Sequence, residues 1–175
     1  MKHFDRNTWQ TPRQVFNAVN GRIPMVADVA ASQLNALLPV YLTEADNALT
    51  YQWRLVAKSG QYVWCNPPYS KPLPWVRKAA KQQNQQIGTV MLLFADPSPQ
   101  WFITALQHVS EVWQVVNGRL SYINPVTGKA KRGNDRPSCF LIFEPGGRPA
   151  SVPVITRYID CQQLEKGVLH EIDYL

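Results

Sequence analysis

The sequence predicts one α/β domain built on a mostly parallel sheet, and three observations carry that expectation. Helical and strand patterns alternate along the chain, as they must where helices connect successive parallel strands. The run "IGTVMLLFA", residues 87–95, is apolar without alternation, the pattern of a strand covered on both faces. Asp28, Asn66 and Asp96 stand directly after three apolar runs, and open α/β sheets bind ligands outside the carboxyl ends of their strands.

Taken in order, "TPRQVFNAVNGR" reads as a helix with Thr11 as cap, Pro12 in the first turn and Gly21 at the end. Val15, Phe16 and Val19 then share its buried face. "IPMVADVAAS" holds a short strand ending at Asp28; "QLNALL" is a candidate helix, and "VYLTEAD" a weak strand ending in acids. "QYVWC" is the next strand. Ser70 caps a basic helix running to Gln85, with Trp75, Val76, Ala79 and Ala80 as its buried stripe. After the apolar strand, "DPSPQWFITALQHV" is a helix capped by Ser98, with Pro99 in its first turn. "EVWQVV" is a strand. "RLSYI" and "SCFLIF" read as a strand pair around the polar loop Asn124–Pro137, and the tail beyond Glu144 shows prolines and little periodicity. No internal repeat or linker interrupts the chain, so residues 1–175 are expected to form a single domain.

Composition narrows the classes. A chain of 175 residues with 45% hydrophobic and 17% charged residues can bury a real core. No apolar stretch reaches the ~18 residues that span a bilayer, and "MKHFDRNTWQ" lacks the apolar core of a signal peptide. Cys65, Cys139 and Cys161 have no CxxC spacing, which points to buried free thiols in a reducing cytoplasm and away from a metal site. The formal charge of +6 is uneven. Residues 1–53 are neutral, residues 54–136 carry eleven basic and three acidic side chains, and the last sixteen residues are net acidic. A basic middle predicts that a polyanion meets one part of the molecule.

The stretch "YVWCNPPYS" is the chemically informative one. A strand that stops at an amide, two prolines and a tyrosine places a polar acceptor, a rigid backbone and an aromatic ring at one strand end. Alkylating a planar amino group requires its nitrogen to leave conjugation and gather positive charge. The Asn66 side-chain oxygen can accept one of its N–H groups, and the Pro67 carbonyl, held by proline geometry, the other. Pro68 stiffens the same loop, and Tyr69 can stack on the substrate plane.

Asn66-Pro67-Pro68-Tyr69 matches the catalytic motif of S-adenosylmethionine-dependent N6-adenine methyltransferases, and the wider pattern resembles the phage DNA N-6-adenine methyltransferase (Dam-like) family. The supporting pieces are Trp9-x-Thr11-Pro12, Asp28-Val29-Ala30-Ala31-Ser32, "TEADNALTYQW", "VWCNPPYS", "LLFADPSPQWF", "NGRLSYI" and "CFLIF", in family order from residue 9 to about 144. The resemblance implies a Rossmann-like class I methyltransferase fold, mostly parallel with an antiparallel C-terminal strand, with S-adenosylmethionine as cofactor. It places Asn66, Pro67, Pro68 and Tyr69 in the catalytic loop and Trp9, Thr11 and Pro12 against the cofactor. Asp28, Ala30 and Ser32 would form the turn at the cofactor's methionine end, with Glu44 or Asp46 as the carboxylate for ribose or adenine. One departure stands out: "ADVAAS" replaces the usual glycine-rich turn.

The loop at 124–137 brings Lys129, Lys131, Arg132 and Arg136, with Arg119 ahead of it, as candidate DNA contacts. Adenine inside a duplex is out of reach, so base flipping is expected, in the cytoplasm of a bacterial host for a phage- or prophage-encoded enzyme. No metal or membrane partner is expected. Two alternatives share features of the sequence: an N-methyltransferase acting on RNA or a protein glutamine amide, and an inactive DNA-binding module.

Overall fold

The computed structural model describes residues 8–131 and 135–172. Six strands form one sheet: β1 (Met25–Asp28), β2 (Tyr62–Cys65), β3 (Gly88–Phe94), β4 (Glu111–Val116), β5 (Ser138–Phe143) and β6 (Ile155–Asp160). Among the described residues four α-helices accompany them: α1 (Arg13–Arg22), α2 (Pro72–Gln83), α3 (Gln100–Leu106) and the short α4 (Cys161–Leu164). The strand order is β1-β2-β3-β5-β4-β6. β1, β2 and β3 are parallel neighbours; β5 is antiparallel to both β3 and β4; β4 and β6 are parallel. This is the Rossmann-like α/β arrangement expected, with β5 as its antiparallel member.

Every residue of β5, and every residue of β3 before Phe94, is buried, because both faces of the sheet are covered. On one face α2 and α3 pack Val76, Ala79, Trp101, Phe102 and Ala105 against Met91, Leu93, Cys139 and Leu141. On the other, α1 and α4 pack Val15, Phe16, Val19 and Leu164 against Val90, Leu92, Phe140 and Ile142. Alternate residues of each strand thus serve opposite cores. Trp64 meets Phe16 edge-on at 5.3 Å between ring centres, joining β2 to α1. Cys65, Cys139 and Cys161 are buried free thiols.

Several sequence expectations change. "RLSYI" is not a strand. Asn117 (φ 57°) and Gly118 (φ 134°) turn the chain sharply out of β4, after which Leu120 and Tyr122 alternate into the core as a strand would, but without a partner strand. Its pairing is limited to Ile123, which bridges Gln10 and Ala130. The tail beyond Glu144, for which no element was expected, contains β6 and α4. Arg157 of β6 meets Glu111 at 2.6 Å and Glu171 at 2.9 Å, so the tail is held by long-range pairing and charge that local periodicity does not reveal. "QLNALL" forms turns instead of a helix, and Arg13 donates to the Ala36 and Leu37 carbonyls there. "VYLTEAD" yields one parallel bridge, Tyr41 to Asp28, and a 3-10 turn at Glu44–Asp46.

The expected caps shift by one residue. Pro12, Lys71 and Pro99 occupy the N-cap positions of α1, α2 and α3, and none makes a side-chain cap bond. Thr11, Ser70 and Ser98 therefore lie just outside their helices. α1 also runs through Gly21 to Arg22, and α2 stops at Gln83 rather than Gln85.

Gly88 is where the sheet tolerates no side chain. A Cβ there would lie 2.5 Å from the Tyr62 ring and 2.9 Å from the Phe143 carbonyl oxygen. That carbonyl sits in β5 and cannot withdraw without breaking the β3–β5 register. Gly88→Ala should therefore lower unfolding stability by about 2 kcal/mol, read from urea melts. A variant as stable as the parent would show that this edge is looser than its geometry.

Candidate active site

The parallel strands β1, β2 and β3 release the chain along one edge. Asp28 ends β1, Asn66 follows β2, and Asp96 comes two residues after β3. β4 ends at this edge and β5 begins there, as the pairing of Phe94 with Ser138 requires. The described residues that connect β4 to β5, 117–131 and 135–137, consequently lie on the same rim as the Asn66 loop.

Asn66 is half-buried, Pro67 buried and Pro68 exposed. Asn66 Nδ2 donates to Thr11 Oγ1 at 3.1 Å and makes a longer contact, 3.5 Å, with the Trp9 carbonyl. Among the described residues this leaves Asn66 Oδ1 unspent, as an acceptor for a substrate N–H must be. The Tyr69 ring is half-buried and packs edge-on against Phe94 at 4.3 Å and Tyr122 at 6.1 Å. The Tyr69 and Tyr122 hydroxyls are 3.0 Å apart, and Tyr122 is likewise 3.0 Å from Ser138 Oγ. Burial, first of all, pushes the Tyr69 phenol well above its ordinary value and that of Tyr122 up to about 12. Both rings are neutral at physiological pH and act through shape and hydrogen bonds. Tyr122 went unrecognised in the sequence; its one local sign is a tyrosine inside the apolar run "LSYI".

Asp28 is 3% exposed. Its oxygens accept the backbone N–H groups of Ala30 and Leu37, each at 3.2 Å, and no lysine or arginine among the described residues pairs with it. Desolvation raises its pKa to about 6, with the two backbone hydrogen bonds opposing. Ala30 is half-buried in the turn, while Ser32 is exposed and accepts from Leu34 N. Residues 40–42 run beside this turn: Asp28 N donates to the Val40 carbonyl, and Leu42 N to that of Asp28. This segment leads into Glu44 and Asp46. The Asp46 carboxylate accepts from both the amide and the hydroxyl of Thr43 at 2.7 Å, an internal cap that lowers its pKa. Glu44 is exposed and carries no such bond, which leaves it the freer of the two carboxylates.

The basic segment is partly built. Asn124 Oδ1 accepts from Val126 N and Thr127 N, Asn124 N donates to the Lys129 carbonyl, and Lys131 N to that of Tyr122. Residues 122–131 thus form a small tight hairpin, and its Lys131 ammonium lies 5.4 Å from the Trp9 ring centre. Lys129 is exposed on it, Arg119 is exposed ahead of it, and the Arg136 guanidinium stands 5.4 Å over Phe94. Arg132 lies outside the described residues. Trp9, Thr11, Asn66, Tyr69, Phe94, Lys131 and Arg136 therefore converge on one rim.

A family model for DNA N-6-adenine-methyltransferase (Dam) matches residues 1–167. The chain belongs to this family. A DNA N-6-adenine-methyltransferase of Haemophilus phage HP1 is 33% identical over 172 residues, covering 96% of this chain and 95% of the relative. Another, from Escherichia phage T1, is 34% identical over 153 residues, covering 79% of this chain and 63% of the relative. No solved structure matches the chain. Membership of the Dam family makes this chain a methyltransferase, and the family match includes the whole rim described above.

The Asp28 environment has a pH signature. A carboxyl whose folded pKa lies above its unfolded value favours folding while protonated, below about pH 4, and loses that contribution as pH rises through about 6. The two-unit rise corresponds to roughly 3 kcal/mol of burial cost at neutral pH. Stability measured from pH 4 to 7 should therefore decline less in Asp28→Asn than in the parent, and parallel curves would refute the raised pKa.

Proposed function

We propose that this protein transfers the methyl group of S-adenosylmethionine to N6 of adenine in DNA, acting on a base turned out of the helix. The observation that carries this reading is the state of Asn66: a strand-end amide with its nitrogen engaged and its oxygen free, beside a ring that can stack on a base.

The residues fit such a cofactor. Asp28 is a buried carboxylate without a cation, the complement of an α-ammonium group, and Ala30, Ala31 and Ser32 leave room beside it where glycines are more usual. Glu44 is the free carboxylate for a ribose or adenine edge, while Trp9 and Pro12 flank Thr11 at the start of α1. When bound, S-adenosylmethionine supplies an electrophilic methyl group on a sulfonium. Asn66 Oδ1 and the Pro67 carbonyl accept the two N–H groups of the target amine, drawing its lone pair out of the ring and stabilising the charge that develops on nitrogen. Tyr69 holds the base plane in line for transfer. The methylated ammonium is acidic enough to release its proton to water, so no strong base is required.

DNA would lie across the rim formed by the 122–131 hairpin, Arg119 and Arg136. Lys129 and Lys131 are placed for phosphates, and Arg136, beside the Tyr69–Phe94 pair, for a base edge or the gap left by the flipped base. Because residues 122–131 are internally hydrogen-bonded, this part of the surface is preformed.

Digestion of DNA incubated with methyl-labelled cofactor should yield N6-methyladenine. Asn66→Ala should reduce turnover about 10²- to 10³-fold while retaining cofactor and DNA binding, and Tyr69→Phe should keep most activity. Label found only in RNA or in protein glutamine would assign another substrate, and near-normal turnover in Asn66→Ala would remove Asn66 from the chemistry.

The salt dependence of DNA affinity checks the interface separately. Replacing Lys129 and Lys131 with alanine should lower the slope of log K against log salt by about 0.9 for each lost phosphate contact. An unchanged slope would move DNA to Lys71, Arg77 and Lys81 around α2, where Lys78 is already engaged by the Tyr51 carbonyl and the Trp53 ring.

A further inference from the structure

An amide differs from a carboxylate in having a direction: one end accepts and the other donates. The role assigned to Asn66 requires Oδ1 to face the substrate amine. Turned by half a rotation, the amide would present two donors to a donor, and the interaction would become repulsive. Something in the fold must therefore choose between two orientations of almost identical shape.

Two groups meet the Asn66 nitrogen. The Trp9 carbonyl can only accept, so it opposes the reversed amide. Its position is held by the neighbouring residue, since Gln10 N donates to the Ile123 carbonyl at 3.0 Å and Ile123 N to that of Gln10 at 2.9 Å. The second group is Thr11 Oγ1, at 3.1 Å. A threonine ahead of a helix ordinarily spends its hydroxyl on a helix N–H. Here Pro12 takes the N-cap position of α1, and Thr11, 6% exposed, is turned toward β2 instead.

We infer that Thr11 is a positioning residue for the catalytic amide. Its hydroxyl oxygen accepts the Asn66 N–H, the Trp9 carbonyl sets the direction, and together they keep Oδ1 turned into the cleft. This inference rests on the amine-methylation reading of the site, but the orientation itself can be observed without turnover.

The decisive comparison uses Thr11→Val, Thr11→Ser and Asn66→Asp, the last alone and with Thr11→Val. At saturating cofactor and DNA, Thr11→Val should lower kcat about tenfold, the factor given by one hydrogen bond of ordinary strength, with both KM values little changed. Thr11→Ser should restore it. A carboxylate has no direction to lose, so Thr11→Val should have little further effect on the residual kcat of Asn66→Asp. A kcat loss of equal size in both backgrounds, or a raised KM for cofactor with kcat preserved, would overturn the inference; the latter would make Thr11 only a cofactor contact.

The Asn66 side-chain NH2 resonances, identified by their loss in Asn66→Ser, supply the readout without activity. Slow exchange in the parent and its loss in Thr11→Val support the orientation even if adenine proves not to be the substrate. A freely exchanging pair in the parent refutes it, whatever the enzyme methylates.

Discussion

Covering both faces of the sheet is the constraint from which the rest follows. With β3 and β5 buried on both sides, a charged group within them would face an uncompensated desolvation cost, so the chemistry is confined to strand ends. Parallel alignment of β1, β2 and β3 gathers three of those ends along one edge. The antiparallel β5 completes the arrangement. Lying between β3 and β4, it begins at that edge and sets Lys131 and Arg136 beside the Asn66 loop.

Within the cleft, charge and neutrality are divided between neighbouring strand ends. Asp28 is a carboxylate held in an apolar setting by two backbone N–H groups, a site that destabilises the free protein above its pKa and suits a cationic ligand. Asn66 is neutral, an amide with its nitrogen turned to Thr11. Tyr69 and Tyr122, their phenols held protonated by burial, share a hydrogen-bonded line with Ser138 that fixes a ring position without adding charge. Part of the stability of the free fold is given up at Asp28, as functional sites commonly require.

Positive charge elsewhere serves different ends. Arg148 donates to the carbonyls of Leu106, Val109, Pro149 and Val152, closing the C-terminal end of α3. Arg157 and Arg22 converge on Glu171 to hold the tail. Lys78 is committed beneath α2. Of these only Lys78 belongs to the basic stretch 54–136, so such commitments leave most of that stretch's excess charge in place, and the 122–131 hairpin carries a distinct part of it.

The amino-acid order alone determined the α/β class, helices α1 to α3, strands β1 to β5 and the Asn66–Tyr69 motif. Each rests on local information: apolar runs bounded by breakers, or residue types whose chemistry is intrinsic. It misread "RLSYI" and missed β6, because those segments take their structure from partners far away in sequence, Gln10 for one and β4 with Glu111 for the other. The contacts of Thr11 and Tyr122 belonged to tertiary structure for the same reason. A cap and a hydrogen-bond acceptor look identical in one dimension, and only the fold decides that the Thr11 hydroxyl, fifty-five residues from Asn66, is turned toward it.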